Sequence, residues 1–336
     1  MPSFHFRTEN PGITIRTLPA NIGLEDQDLF LPVSRYKRKG LSVEYLGQVR
    51  ISPDSVIYKY GRVLPESVID PALVGYYRWR HLVKGLVRFK QVSLPKGRDY
   101  VLVTDGNSSG HFHWFMEVLP KICVIEQNAH RLTLLLPDTP YVRTIGLESL
   151  KLLGIEFADI VWLRSDKFYK VPSMYYVPRM TSHEQINDDR LRDLRSRLRS
   201  DRPAGNRRLY VSRSDARRRK VLNESELEPV LHEFGFEIAR PDNLSLAEQI
   251  DLFSGCSVLM GIHGAGLTNC LFMPGGGDVV EFQKREPNFG YWHLSDALGH
   301  RFHCLFGEPD SELSLIGSGC NLTVAVEDLR RVLKVL

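Results

Sequence analysis

Cysteine is scarce in this sequence and never closely paired. The five residues, Cys123, Cys256, Cys270, Cys304 and Cys320, are odd in number and include no C-x-x-C. A zinc ribbon, a thioredoxin-type motif and a disulfide framework are therefore not expected, and the usage fits a reducing compartment. Long apolar runs are also missing. No stretch reaches the roughly 18 apolar residues of a membrane span, and residues 1–10 hold no signal-peptide core. The expectation is a cytoplasmic chain, neither secreted by a cleaved signal nor membrane-spanning. Charge shows little surplus of one sign. Lys and Arg number 44 against 40 Asp and Glu, and +4 is too small to mark a nucleic-acid binder. Neither a P-loop nor a dinucleotide G-x-G-x-x-G occurs, so neither an ATPase nor a dehydrogenase is supported.

What is present is a globular composition, 43% hydrophobic and 25% charged, over 336 residues. Such a chain buries one or two full cores without a covalent or metal staple. Residues 1–90 are broken by Pro11, Pro19, Pro32, Pro53, Pro65 and Pro71, which predicts short strands and loops. From residue 100 the pattern alternates. Short apolar runs at 100–104, 132–136, 160–163 and 173–177 read as buried strands, with helical spacing at 111–130 and 141–154. Pro120 is expected to kink the first of these helices.

Residues 188–202 carry Leu191, Leu194 and Leu198 at helical spacing among arginines and aspartates, which reads as a solvated helix with a narrow apolar stripe. Pro203-Ala-Gly-Asn206 then marks a domain boundary. Strands at 209–212, 236–239, 258–260, 278–282 and 302–306 repeat the alternation. Asn223 with Glu226 and Ser245 with Glu248 look like helix caps, and a terminal amphipathic helix spans 326–336. Strand alternating with helix predicts an α/β fold. It has two Rossmann-like, doubly wound domains facing a cleft, with ligands beyond the carboxyl ends of the strands. The domains expected are 1–200 and 207–320, with 321–336 packing back toward the N-terminal domain.

Four features could carry chemistry. Gly261-Ile-His263-Gly264-Ala265-Gly266-Leu-Thr268-Asn269 follows a strand and opens a helix. Its glycines permit close backbone approach, and a helix N-terminus suits a diphosphate; the bland alternative is tight packing alone. His263 reads equally as a phosphate donor, an acid or a loop residue. Arg213-Ser-Asp-Ala-Arg217-Arg218-Arg219-Lys220 follows the strand at 209–212. It reads as an anion grip, a solvated basic loop or a nucleic-acid patch. His113 and Glu117 lie four apart on one helix face, where a carboxylate orients an imidazole; a capped helix end or a metal pair are the rivals. Glu281 ends a strand, as a ribose-binding acid does, or is merely an exposed strand-end acid.

In this order the motifs resemble glycosyltransferase family 61. The residues that carry the likeness are His113-Trp114 with Glu117, Leu119 and Pro120, then Tyr210-Val-Ser212-Arg213 with Ala216 and Arg219, then 261–269, then Glu281. The likeness spans about residues 105–305. It implies the B-type arrangement of two Rossmann-like domains and an inverting transfer from a nucleoside-diphosphate sugar. His113 or Glu117 would be the base. Arg213, Arg219, His263, Gly264, Ala265, Gly266, Thr268 and Asn269 would hold the diphosphate, and Glu281 the ribose. It implies no cofactor and no metal. The one D-x-D, Asp26-Gln-Asp28, follows no recognisable strand and reads as a chance acidic loop. The implied partners are the donor, a glycan or lipid-linked acceptor and peripheral contact with an inner membrane, but not nucleic acid. Without an apolar anchor the chain resembles bacterial members that build capsule or other surface polysaccharide. An epimerase on the same fold and a non-catalytic nucleotide or glycan binder are the alternatives.

Overall fold

The structure is a computed structural model. It describes every residue except 1–3, 5, 7–9, 39, 41, 180–185, 200–204 and 315–318. The chain divides into two compact units, Met1–Gly12 with Lys39–Ser182, and Ile13–Arg38 with His183–Leu336.

The strands are β1 (Gly12–Ile15), β2 (Arg35–Arg38), β3 (Glu44–Ile51), β4 (Ile57–Lys59), β5 (Arg62–Val63), β6 (Lys90–Ser93), β7 (Asp99–Leu102), β8 (Leu132–Pro137), β9 (Asp159–Leu163) and β10 (Lys167–Tyr176). They continue with β11 (Arg207–Val211), β12 (Phe236–Ala239), β13 (Cys256–Ile262), β14 (Asp278–Gln283) and β15 (Arg301–Phe306).

The first unit holds an eight-stranded mixed sheet, ordered β5-β4-β3-β10-β7-β8-β9 with β6 beside β10. Its β7, β8 and β9 are parallel, as the alternation predicts. The helical stretch after β7 is not one α-helix. His111–His113 passes into a π-turn at Trp114–Val118 before the α-helix Leu119–Ile125. Pro120 therefore stands in the first turn of a new helix, where its missing N–H costs little. The proline-broken N-terminal part contains a helix that its sequence pattern does not announce, Trp79–Arg88.

The second unit holds a five-stranded sheet with the order β12-β11-β13-β14-β15, parallel at every pairing. Parallel sheets are covered on both faces, so their strands read as nearly continuous apolar runs. Every residue of β14 is buried. Tyr210, Val258, Met260, Ile262, Val280 and Phe282 form one core with helix residues Leu227, Val230 and Leu231.

Three expectations change. The division falls after residue 182, and 13–38 joins the second unit. Buried Arg16 is ion-paired with Asp188 at 2.7 Å and with Asp296 at 3.3 Å, Asn21 brackets the backbone of Cys304, and Phe30 packs edge-on against Trp292. The helix Asp188–Leu198 does bury Leu191, Leu194 and Leu198, and its Arg192 and Arg195 bond the carbonyls of Ala297 and Leu298. The break expected at Pro203–Asn206 begins outside the described residues. The terminal helix Val326–Leu333 buries Leu329, Val332 and Leu333 in the second unit's own core. Finally, Asn223 does not cap its helix. Its amide bonds both the N–H and the C=O of Val324, whereas Ser245 and Glu248 do form a full capping box.

Candidate active site

In the second unit the chain moves from β11 to β12 on one side, then returns to β13 on the other. This reversal opens a crevice at the carboxyl ends of β11 and β13. Arg213 follows β11 and His263 follows β13, so two separate sequence motifs meet there. The glycines make the meeting possible. A Cβ at Gly266 would lie 2.7 Å from Val211 Cγ1, and one at Gly261 would lie 3.1 Å from the Val211 carbonyl. A Cβ at Gly264 would lie 2.8 Å from Arg213 Nη1. The packing and the functional readings of these glycines are therefore one requirement: β11 and its arginine sit directly on the loop.

Arg213 donates from Nε to the Arg219 carbonyl at 3.2 Å. Arg219 has φ +56°, and its Nε is buried without a partner. Both side chains are half-buried, and neither has a carboxylate partner among the described residues. Burial, then the like charge of Arg213, pushes the Arg219 pKa down. Two uncompensated cations at a crevice are the electrostatic form of an anion site. Arg217 and Arg218 in the same run are exposed. The loop beside them continues as a 3-10 helix, Ala265–Phe272, in place of the α-helix expected. The N–H groups of Ala265 and Gly266 precede its first bond, from Leu267 N–H to the Gly264 carbonyl, and have no helical acceptor. Thr268 and Asn269 lie beneath. Thr268 Oγ1 is 3.5 Å from the Tyr291 hydroxyl, and Asn269 Nδ2 bonds the Gly266 carbonyl at 3.1 Å. Both brace the loop from inside.

Glu281 is neither a strand-end acid nor open to a ribose. It is 0% exposed; Oε1 lies 2.5 Å from His263 Nδ1, and Oε2 accepts from Gln283 Nε2 at 2.8 Å. Gln283 is held in turn by the backbone of Asn288. The pairing follows from register, since β13 and β14 are neighbours with Gly261 opposite Glu281. Burial pushes the Glu281 carboxyl above its usual range, against the pull of His263. Tyr291 packs edge-on against the His263 ring at 5.2 Å. Nδ1 is thus committed to the carboxylate, and Nε2 has no partner among the described residues.

In the first unit β7 lies between β10 and β8, and Leu102 of β7 pairs with Tyr176 of β10. Three residues beyond each of these strand ends stands a charged group, Asp105 and Arg179. They approach to 3.5 Å. Asp105 pins its own turn by accepting from the Asn107 N–H and the Ser108 hydroxyl. The indole of Trp114 anchors the following π-turn on Ser149 at 2.9 Å. That turn presents Glu117 between two cationic or ionisable partners: His113 Nδ1 at 3.1 Å from Oε1, and Arg179 Nη2 donating to Oε2 at 2.6 Å. Burial raises the Glu117 pKa, but the His113 hydrogen bond and the Arg179 charge outweigh it and hold the carboxyl at about 2. Buried Lys121 donates to the Val103 carbonyl at 3.1 Å, and burial lowers its pKa. Glu117 is buried, while the His113 side chain keeps 23% exposure.

The family model described as Glycosyltransferase 61 matches residues 111–280, just over half of the chain. The chain belongs to glycosyltransferase family 61. The match takes in His113, Glu117, Arg213, Arg219 and the whole glycine segment. Two rice (Oryza sativa subsp. japonica) relatives are similar over shorter stretches. Alpha-1,3-arabinosyltransferase XAT3 is 40% identical over 62 residues, 17% of this chain and 11% of that protein. Alpha-1,3-arabinosyltransferase XAT2 is 36% identical over 78 residues, 22% of this chain and 13% of that protein. The chain thus matches little more than a tenth of the length of these relatives.

Four residues of these two clusters escape the sequence pattern: Arg179 and Lys121 in the first unit, and Gln283 and Tyr291 in the second. Only Arg179 leaves a trace, as an arginine three residues past a strand. Its importance depends on β10 lying beside β7, which no local pattern reveals. Among the described residues no group of three or more His, Cys, Asp or Glu is placed to hold a metal ion. Asp26 lies on a short helical segment, not in a loop, and is paired with Arg285.

Proposed function

We propose that the chain is an inverting glycosyltransferase of the B type that transfers a sugar from a nucleoside diphosphate to a hydroxyl of a glycan or lipid-linked glycan. The second unit takes the donor and the first unit the acceptor. The observation that carries this reading is the pair of uncompensated arginines, Arg213 and Arg219, beside the glycine loop at the strand-order reversal.

The acceptor oxygen attacks the anomeric carbon as the bond from that carbon to the diphosphate oxygen breaks. The hydroxyl proton passes to His113. Glu117 orients the ring and balances the imidazolium that results; as a carboxylate held near 2 it is too weakly basic to take the proton itself. Negative charge leaving with the diphosphate meets Arg213, Arg219 and the N–H groups of Ala265 and Gly266, an electrostatic stabilisation that needs no metal. His263, held by Glu281, offers Nε2 to the same leaving group. The names of the rice relatives make a pentosyl donor a candidate beside hexosyl donors. The surface-polysaccharide setting rests on the family resemblance.

The test is a thermal-shift screen with UDP-, GDP-, CMP- and dTDP-sugars, including UDP-arabinose. One nucleotide series should raise the melting temperature, since a ligand bound only to the native state stabilises it, and Arg213→Ala should abolish the shift. No shift with any nucleotide would sink the reading. Turnover of donor to an altered nucleotide sugar without acceptor would replace transfer by epimerisation.

A further inference from the structure

Besides the arginine-rich stretch 190–220, which has thirteen Lys and Arg against three Asp, the sequence has a second basic segment in the first unit. Residues 57–90 contain seven Lys and Arg against Glu66 and Asp70 alone, a surplus of five, larger than the +4 of the whole chain. The same segment exposes apolar side chains. Trp79 is 70% exposed and Val87 84%, with Val83 and Leu86 both at 38%. These four lie at i, i+4, i+7 and i+8 on the helix Trp79–Arg88, so they form one stripe within about 100° of arc. The helix is not short of a core face. Leu82 packs in a cluster with Val56, Tyr58 and Phe168, and a Cβ on Gly85 would lie 2.8 Å from the Phe168 ring. The outward stripe is therefore a second apolar face, on a helix fixed to the sheet. Lys84 and Arg88 are exposed on the same helix. Beside its start a groove of about 410 Å³ is lined by Arg62, Val63, Pro65, Val74, Arg78 and Trp79. Arg62, Arg78, Lys84 and Arg88 have no carboxylate partners among the described residues.

We propose that this face docks on an anionic phospholipid bilayer, with Trp79, Val83, Leu86 and Val87 entering the interface. Arg62 and Arg78 take a headgroup phosphate in the groove, and Lys84 and Arg88 lie over the charged surface. Charge complementarity selects this occupant. An apolar stripe flanked by unpaired cations and bearing an exposed tryptophan is the composition of an interfacial helix, whereas an acidic protein partner would not need the apolar stripe to insert. Docking there brings the first unit to the surface on which a lipid-linked acceptor is carried. It goes beyond the donor assignment and stands or falls separately from it.

The experiment uses the full chain and vesicles of phosphatidylcholine with and without about a third phosphatidylglycerol. Of the four tryptophans, Trp114 and Trp292 are fully buried and Trp162 is half-buried, so Trp79 dominates any change in emission. Anionic vesicles should pull the protein down at low salt, blue-shift its fluorescence and protect it from acrylamide. Zwitterionic vesicles should bind at least tenfold less. Lys84→Glu with Arg88→Glu should weaken binding by about tenfold or more. Trp79→Glu with Val87→Glu should abolish it with the melting temperature unchanged, because both side chains already face solvent. Nucleotide binding by thermal shift should be the same in all variants, which separates this surface from the donor site. Absence of binding to anionic vesicles at low salt overturns the proposal. So does concentration-dependent dimerisation that the Trp79→Glu, Val87→Glu variant abolishes, which would give the face to a second copy. Binding that survives both double substitutions overturns it as well.

Discussion

Gly264 lies against the guanidinium of Arg213, with no room for a single methyl group between them. The loop and the cation come from motifs about fifty residues apart in sequence, yet each fixes the other's position. Gly264→Ala should therefore displace Arg213 while leaving the sheet intact, because the obstructing atoms belong to a side chain. The expected result is a melting temperature within a few degrees of wild type. Donor affinity should fall by about tenfold to a hundredfold, the value of one or two charge-assisted hydrogen bonds. Titration calorimetry with the nucleotide found by screening measures it. Unchanged affinity in Gly264→Ala would remove Arg213 from the donor site.

The arginine run should divide sharply. Arg213→Ala and Arg219→Ala should each lower kcat/KM by about 2–4 kcal/mol of transition-state stabilisation. Arg217→Ala and Arg218→Ala, whose side chains are exposed, should stay within about threefold of wild type. Steady-state kinetics decides the matter. Equal losses across all four would mean a diffuse basic patch.

His113→Ala should reduce kcat by about two to four decades and leave donor affinity unchanged. Glu117→Gln should act through the ring and not in its place. It should lower kcat, because the ring loses the carboxylate that holds its Nδ1. If Glu117→Gln is inactive while His113→Ala turns over normally, the carboxylate is the base.

Two buried groups set separate acid windows. Glu117 is held at about 2 against an ordinary 4.5, so its contribution is present above pH 4.5 and is lost as pH falls toward 2. Burial pushes His300, whose Nε2 donates to the Cys270 carbonyl at 3.0 Å, down to about 4 from 6.5. Between pH 6.5 and 4 the unfolded chain takes up a proton that the folded chain refuses, so stability falls with pH across that range as well. Each window is worth at most about 3 kcal/mol. Urea unfolding across pH should show His300→Gln flattening the upper window and Glu117→Gln the lower. A His300→Gln variant with the wild-type slope from pH 6.5 to 4 would refute the assignment.

Removing His263 should expose the cost of its partner. His263→Ala leaves the fully buried Glu281 carboxylate without its compensating ring. The destabilisation should reach about 3–5 kcal/mol at pH 8 and be smaller at pH 5, since acid favours the neutral carboxyl that burial also favours. The double variant with Glu281→Gln should recover much of the loss at pH 8. Melting temperatures of the three proteins at both pH values check the sign.

Local physics wrote several of these features into the sequence. Apolar runs such as 278–282 announce buried parallel strands, and the Ser245–Glu248 box announces a helix start. The glycine segment, the arginine run and the His113–Glu117 pair each follow a recognisable strand, so local pattern alone places them at carboxyl edges. These signals are legible because strand burial, capping and i, i+4 proximity depend only on near neighbours. Tertiary structure decided the rest. That β11 lies beside β13, and β10 beside β7, brings Arg213 onto Gly264 and Arg179 onto Glu117; pairing between distant strands leaves no periodic trace in either one. Glu281 has the local pattern of a surface acid, and only the register of β13 and β14 sets it against His263. The helix at 79–88 is hidden among prolines, and its second apolar face is defined only because Leu82 and Gly85 are committed to the core. A side chain's role depends on which face of its element is already occupied, and that is settled by packing between segments the sequence keeps apart.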